Sequence, residues 1–230
     1  MIYQRTKSPR PPSIDLEDHT AFYYVSPEPL EIGANRMIKR AFDIIFSVII
    51  IVGILSWLIP LLAIGIKLSS RGPIFFKQLR SGRNNQPFTC WKLRTLTENK
   101  DAHTKDVTED DQRTTRLGRL LRKSNLDELP QFINVLLADM SVVGPRPHML
   151  AHTRMYSEIR GDYMMRHHIK PGITGWAQVM GYRGQVKNEI QLRKRVDHDL
   201  WYKKNWTLLL DLKIVWRTVL TTLRGDKNAY

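Results

Sequence analysis

The sequence predicts an α+β protein, mostly helical, in which one membrane-inserted apolar helix is joined to a small domain carrying a short hairpin. Three observations lead there. A long uncharged run begins at Ile44, two short β-type segments follow it, and the remainder is dominated by helical periodicity. At 230 residues the chain is long enough for one domain with a real core.

The apolar run comes first. From Ile44 to Ile66 no residue carries a charge, and Ile, Leu and Val dominate. A straight helix of that length would measure about 35 Å, against a hydrocarbon core of about 30 Å. It lies too far into the chain for a cleavable signal peptide, and no small-x-small cleavage site follows it. A soluble core helix would show a polar face, and this run shows none. Arg36, Lys39 and Arg40 flank one end, while Lys67, Arg71, Lys77 and Arg80 follow the other, so positive charge does not orient a crossing. Ser56 and Pro60, with Gly53 and Gly65 nearby, mark a candidate break. Two readings stay open at this point: a helix that enters, breaks and returns, or a Pro-kinked single span. Hydropathy alone favours the span.

Residues 1–35, with Ser8-Pro9-Arg10-Pro11-Pro12, read as a poorly ordered leader; 36–70 form the membrane-inserted part and 71–230 the domain outside it. Ile74–Leu79 and Phe88–Leu93 read as strands around the turn residues Ser81-Gly82-Arg83-Asn84-Asn85. Residues 98–112 are polar and acidic, a mobile loop. Helical patterns follow near 113–123, 126–138, 148–168, 188–204 and 207–223, with no internal repeat. In the last of these, Leu212, Val215, Trp216, Val219, Leu220 and Leu223 form an apolar stripe flanked by Lys213, Arg217 and Arg224. Such a stripe suits a helix lying in the membrane interface, and equally a helix facing a core. Arg113, Arg116, Arg119 and Arg122 recur every three residues, as a solvated face or a stripe for lipid phosphates.

Lys plus Arg outnumber Asp plus Glu by 36 to 22, a formal net charge of +14, which calls for an anionic partner: nucleic acid, a phospholipid surface or a phosphorylated substrate. Cys90 is the only cysteine, which excludes a disulfide framework or a thiolate metal cluster and leaves a buried, inert thiol. The usual nucleotide motifs and His-Glu-x-x-His are absent. His167-His168 reads as a surface pair and Asp197-His198-Asp199 as a solvated helix segment.

The best candidate for chemistry is Ser124-Asn125-Leu126-Asp127-Glu128-Leu129-Pro130-Gln131, opening an apolar helix. Asn125 and Glu128 have the spacing of a capping box, which alone would explain them. Carboxylates in a first helical turn also sit where backbone N–H groups and the helix dipole would hold a phosphoryl group. A carboxylate there could attack phosphorus and split one displacement into two. Two adjacent carboxylates repel an anionic phosphate unless a divalent cation intervenes, which implies Mg²⁺ on Asp127 and Glu128. Lys92 and Arg94 follow a strand, and Arg146 stands between Pro145 and Pro147, on stiff backbone suited to gripping phosphate.

Several segments occur in series: Lys39-Arg40-Ala41-Phe42-Asp43, Gly72-Pro73-Ile74-Phe75-Phe76-Lys77-Gln78, Lys92-Leu93-Arg94-Thr95, Leu126-Asp127-Glu128-Leu129-Pro130-Gln131, Asp139 to Pro147, and Lys170-Pro171-Gly172-Ile173-Thr174-Gly175-Trp176-Ala177-Gln178. Together with the apolar run they resemble the bacterial sugar transferases, monotopic polyprenyl-phosphate hexose-1-phosphate transferases, over residues 36 to 224. The resemblance implies transfer of a sugar 1-phosphate from a UDP-sugar to undecaprenyl phosphate with release of UMP, an early membrane step of polysaccharide or glycoconjugate assembly. It implies Asp127 as nucleophile, Glu128 assisting beside Mg²⁺, Arg146, Lys92 and Arg94 on phosphate, and Thr174, Trp176 and Gln178 shaping the nucleotide pocket. It also implies a re-entrant helix in the bacterial inner membrane with both ends cytoplasmic, a cytosolic catalytic domain with interfacial amphipathic helices, a lipid bilayer rather than nucleic acid as partner, and the short form of the family; homo-oligomerisation is left open. Two positions depart from the pattern. Ser56 is followed by Trp57, with the proline only at Pro60, and Leu96 stands where Met is common. The competing class is a non-catalytic basic module, anchored in the membrane and binding anionic lipid or nucleic acid.

Overall fold

The computed structural model describes residues 27–97, 108 and 111–224, so most of the expected leader and of the 98–112 loop lies outside the described residues. Residues 27–35 differ from the expected leader. Pro29–Glu31 form a 3₁₀ turn, Glu28 pairs with Lys203 at 2.9 Å, and the first helix, α1 (Gly33–Ile50), is already under way before Arg36. It continues through one π-helical turn, Ile51–Leu55, into α2 (Ser56–Ser69).

The irregular turn Ile51–Leu55 runs directly into Ser56 and precedes Pro60, which sits inside regular α2. The physical reason is that a proline's missing N–H and its ring act on the turn before it. Ser56 N–H reaches back five residues to Ile51 O, Ser56 Oγ donates to Val52 O at 2.6 Å, and Trp57 Nε1 donates to Gly53 O at 2.9 Å. Side chains thus supply donors to carbonyls that a π turn leaves badly placed. Val52, Trp57, Leu61, Ile64 and Leu68 stay exposed on this apolar arm, a surface that water would penalise.

Next come β1 (Phe75–Ser81) and β2 (Pro87–Leu93), antiparallel with Gln78 opposite Cys90. Their connection holds Asn84 and Asn85 at positive φ, which asparagine tolerates better than most residues. α3 (Arg116–Lys123) is capped by Thr115, whose Oγ1 accepts from the Gly118 N–H. A 3₁₀ turn at Leu126–Glu128 leads into α4 (Gln131–Leu136), so the single helix expected over 126–138 is a tight turn and a shorter helix. β3 (Ser141–Val143), α5 (Leu150–Ile159), a 3₁₀ stretch Tyr163–His168, β4 (Gly172–Thr174), α6 (Trp176–Val179), α7 (Glu189–Lys204) and α8 (Leu208–Arg224) complete the chain. The helix expected over 148–168 is interrupted at 160–162, where Arg160 Nε donates to Asp162.

β3 and β4 pair in parallel, Ser141 opposite Gly172 and Val143 opposite Thr174. Three-residue strands carry too little periodicity to be read from sequence, and this pair was not expected. It requires close backbones: a Cβ on Gly172 would stand 2.0 Å from the Gly144 nitrogen. Around the pair, Phe88 and Cys90 of the hairpin, Phe132 and Val135 of α4, and Tyr202, Trp206 and Ile214 form the main core.

Both arms of the apolar helix are fastened to this one body. On the α1 side, Phe42, Phe46, Ile50 and Ile51 pack on the core, with the Phe46 ring 6.1 Å from Phe132. Buried Asp43 accepts from Ser141 Oγ and Val142 N–H, each at 2.9 Å, and Arg40 donates to the carbonyls of Val135 and Leu136, capping α4. On the α2 side, Ile66 packs with Leu93 and Leu121, and Arg94 donates to Ile66 O and Ser70 O at 3.3 and 2.6 Å. α8 has apolar residues on two faces. Leu210, Ile214 and Val215 meet the core, while Leu209, Leu212, Trp216, Val219 and Leu223 form an exposed apolar stripe.

Gly118 sets the seat of α3, because a Cβ there would lie 2.0 Å from Thr95 O, on backbone that cannot swing away. Gly118→Ala is expected to destabilise the fold by about 2 kcal/mol or more through overpacking. Gly161→Ala, with nothing within 4 Å of its Cβ position, is expected to leave the melting temperature in detergent nearly unchanged. Comparing the two melting temperatures checks the assignment.

Candidate active site

The site is assembled from the 3₁₀ turn, the end of β2 and two loops. Asn134 of α4 organises it from below. Its Nδ2 donates to Thr89 O at 2.7 Å and its Oδ1 accepts from Trp91 N–H at 3.0 Å, locking β2 against α4. That register directs Lys92 toward the turn, where Nζ meets Glu128 Oε1 at 2.7 Å. Arg146 arrives from the loop after β3 and forks onto Glu128, Nη2 to Oε1 at 2.8 Å and Nη1 to Oε2 at 3.1 Å. Its backbone is held in turn, because Arg166 donates to Arg146 O at 2.8 Å and pairs with buried Asp199 at 2.8 Å. Arg183, from the loop after α6, reaches Glu128 Oε2 at 3.5 Å and donates to Asn125 Oδ1.

Asp127 is buried beside this cluster, yet its carboxylate makes no hydrogen bond or ion pair among the described residues. The two neighbouring carboxyls are driven apart. Burial pushes Asp127 above the usual carboxylate range, with Lys92 opposing and Glu128 adding to the rise. For Glu128 burial acts the same way but is outweighed by Arg146 and Lys92, with Arg183 helping, so its carboxyl stays well below the usual range. Environments that separate two adjacent acids in this way mark distinct roles. One carboxylate anchors three cations; the other is left unengaged.

The profile of the bacterial sugar transferases matches residues 34–225. This chain belongs to that family. It is 45% identical over 202 residues to a protein of Escherichia coli named UDP-glucose:undecaprenyl-phosphate glucose-1-phosphate transferase, covering 86% of this chain and 42% of that one. A Caulobacter vibrioides protein of the same name is 42% identical over 221 residues, covering 94% and 81%. An Aeromonas hydrophila protein named UDP-N-acetylgalactosamine-undecaprenyl-phosphate N-acetylgalactosaminephosphotransferase is 42% identical over 189 residues, covering 82% and 44%. The chain thus spans less than half the length of the first and third of these relatives.

Of the positions the sequence singled out in this sugar transferase, Lys92, Arg146, Asp127 and Glu128 come together; four others do not. Arg94 donates to the carbonyls of Ile66 and Ser70, closing the end of α2. Thr174 Oγ1 is hydrogen-bonded to Thr218 Oγ1 at 2.6 Å, Trp176 lies stacked on Trp201 at 5.1 Å with the Arg217 guanidinium 5.5 Å from its ring, and Gln178 is buried with Nε2 on Ile173 O. Thr174 thus joins β4 to α8, Trp176 joins α6 to α7 and α8, and Gln178 joins α6 back to β4. The capping box is corrected. Asn125 is left-handed with φ 58°, its side chain caps nothing, and Glu128 points at cations instead of back to Asn125 N–H. The positive field at Asp127 therefore comes from side chains, with Arg122 adding to it, and not from a long helix.

Sequence reasoning missed Arg183. Its signal was an arginine beside Gly184 and shortly after Gly181, two glycines at positive φ in a turn-rich stretch. His167 was expected at the surface and is buried, with its imidazole pushed down to about 4 by burial and Arg166. Asp199 was expected in solvent and is the buried partner of Arg166.

Among the described residues no group of three His, Cys, Asp or Glu could enclose a metal. Asp127 offers free oxygens, which fits a cation that takes most ligands from phosphate and water. Glu128 must release a cation before it can share one.

Burial of ionised Asp127 carries a stability signature. A carboxyl whose folded pKa is raised loses folded-state stability as pH rises through that pKa, and both states are protonated below about 3.9. Asp127→Asn is expected to raise the melting temperature in detergent near neutral pH, with the gain shrinking as pH falls toward about 4. A melting series across pH checks the sign.

Proposed function

We propose that this chain transfers a sugar 1-phosphate from a UDP-sugar to undecaprenyl phosphate, releasing UMP, with Asp127 as the nucleophile. The observation that carries this reading is the buried, unengaged carboxylate of Asp127 beside three cations gathered by Glu128. In the first step an Asp127 oxygen attacks the phosphorus bearing the sugar. The bond to the bridging diphosphate oxygen breaks, and UMP departs with that oxygen. In the second step a phosphate oxygen of undecaprenyl phosphate attacks the same phosphorus and returns the carboxylate, giving undecaprenyl-diphospho-sugar. The names of the relatives, each a phosphotransferase to undecaprenyl phosphate, support the substrate class. They differ in the sugar, so similarity supports no single hexose.

Lys92 opposes the burial that would keep Asp127 protonated, and so maintains its nucleophilic form. Arg146, forked on Glu128 and held by Arg166 through its backbone, is oriented for the equatorial oxygens of the transferring phosphoryl. Arg183 is a second such donor. Mg²⁺, held by Asp127 and by Glu128 once a cation swings onto substrate, would neutralise diphosphate charge.

We place the apolar arm as a re-entrant element of the bacterial inner membrane, with both ends and the domain of 71–230 on the cytoplasmic face. Support comes from the clamps on Asp43, Arg40 and Arg94, since two ends bound to one body cannot lie on opposite sides of a bilayer. The exposed stripe of α8 suits the interface beside it.

Three outcomes test this. Asp127→Asn should abolish UMP release, and mass spectrometry of wild-type enzyme quenched with donor alone should find a phosphosugar on the peptide bearing Asp127; an adduct on any other residue removes the mechanism. Lys92→Met should move the acid limb of the kcat/KM profile to higher pH, because the ammonium charge that lowers the Asp127 pKa is lost. Cysteines at Glu31 and Arg71 should label from the same side of sealed vesicles, buried Cys90 staying silent.

A further inference from the structure

A cavity of about 240 Å³ opens where the first turns of α1 meet β3 and the segment entering β4. Its wall carries Arg36, Lys39, Arg40, Arg83 and Lys170 against a single carboxylate, Asp43. Asp43 is already committed to Ser141 and Val142. Lys39 is paired with Asp211 at 2.8 Å, and Arg40 caps α4. That leaves Arg36, Arg83 and Lys170, whose side chains make no hydrogen bond or ion pair among the described residues. Lys170 is only half exposed, and its ammonium is pulled below the usual lysine range by burial, with Arg40 and Arg83 adding to the fall. Asp43 and Asp139 oppose this positive potential without cancelling it.

The cavity is separate from the transfer site, since Asp127, Glu128, Lys92, Arg146 and Arg183 are not on its wall. Three unengaged cations converging on a concave surface are matched by a compact anion with several acceptor oxygens. We infer that this cavity binds a phosphate-bearing anion, with Arg36, Arg83 and Lys170 donating to its oxygens. Leu30 and Ile169 give the wall an apolar part, and α1 runs directly from it into the apolar arm. That position makes the headgroup of an anionic phospholipid the source. Only this choice of source rests on the membrane reading; the phosphate site does not.

The test uses the full chain in a neutral maltoside detergent. The rate of amine labelling at Lys170 is read by mass spectrometry with a short-chain phosphatidylglycerol, with glycerol phosphate, or with neither. Phosphatidylglycerol is expected to slow labelling of Lys170 several-fold while exposed Lys123 is unaffected, and glycerol phosphate at equal concentration to protect less. The double variant Arg36→Gln/Arg83→Gln is expected to lose the protection and to keep UMP release. Equal protection by glycerol phosphate upholds the site and makes its ligand a soluble phosphate. Absence of protection by either compound, or undiminished protection in the double variant, overturns the proposal. Labelling needs no turnover, so it stands or falls independently of the Asp127 mechanism.

Discussion

A single fully buried carboxylate, Asp211, ties together the helices on which everything else is mounted. It accepts from Lys39 Nζ of α1 at 2.8 Å, from Tyr202 OH of α7 at 2.7 Å and from Trp206 Nε1 at 3.1 Å. A buried charge with three donors is tolerable; with one removed it becomes a liability of several kcal/mol. Asp211 therefore specifies where the apolar arm attaches as much as it stabilises the attachment. Asp43 repeats the device one turn further along α1, holding the edge of β3. Apolar contacts alone would let a greasy helix slide over a greasy core, because such packing has little directional preference. The buried polar anchors remove that freedom.

The same logic, with the opposite outcome, operates at the active-site cluster. Glu128 pairs with Lys92, Arg146 and Arg183, while the carboxylate of Asp127, its neighbour in sequence, pairs with no cation among the described residues. Both are buried, so the difference between them arises from the directions their side chains take out of a 3₁₀ turn. An α-helical first turn would have placed the two carboxylates against backbone N–H groups. The tighter turn, entered through left-handed Asn125, instead turns Glu128 onto Lys92, Arg146 and Arg183. A strained residue at this point is consistent with a backbone held for function by its surroundings.

The expectations that sit apart from the Asp127–Glu128 cluster share an origin. Arg94, Thr174, Trp176 and Gln178 were assigned by their place in segments that resemble a family, and segment membership does not say which way a side chain faces. In β2, Lys92 and Arg94 stand two apart and share a face, yet the strand ends between them, so one meets Glu128 and the other the end of α2. The Asn125–Glu128 spacing was correct for a capping box, but three nearby cations outbid a single backbone N–H for that carboxylate. The β3–β4 pair escaped notice because three residues show no period and its glycines matter only when two backbones meet.

What the sequence determined by itself were the properties that depend on local composition and period. These include the uncharged run, the hairpin, the two last helices α7 and α8, the excess of positive charge and the acidic pair Asp127-Glu128, since each is written in residues close together along the chain. What only the tertiary structure decided were the partners of those residues. Ion pairs such as Lys39 with Asp211 and Lys92 with Glu128 join positions far apart in sequence, and both arms are held to one body by contacts of the same long range, Lys39 to Asp211 on α1 and Arg94 to Ile66 O and Ser70 O on α2. Charge acts through space and not along the chain, so its consequences become definite only once folding has fixed the distances.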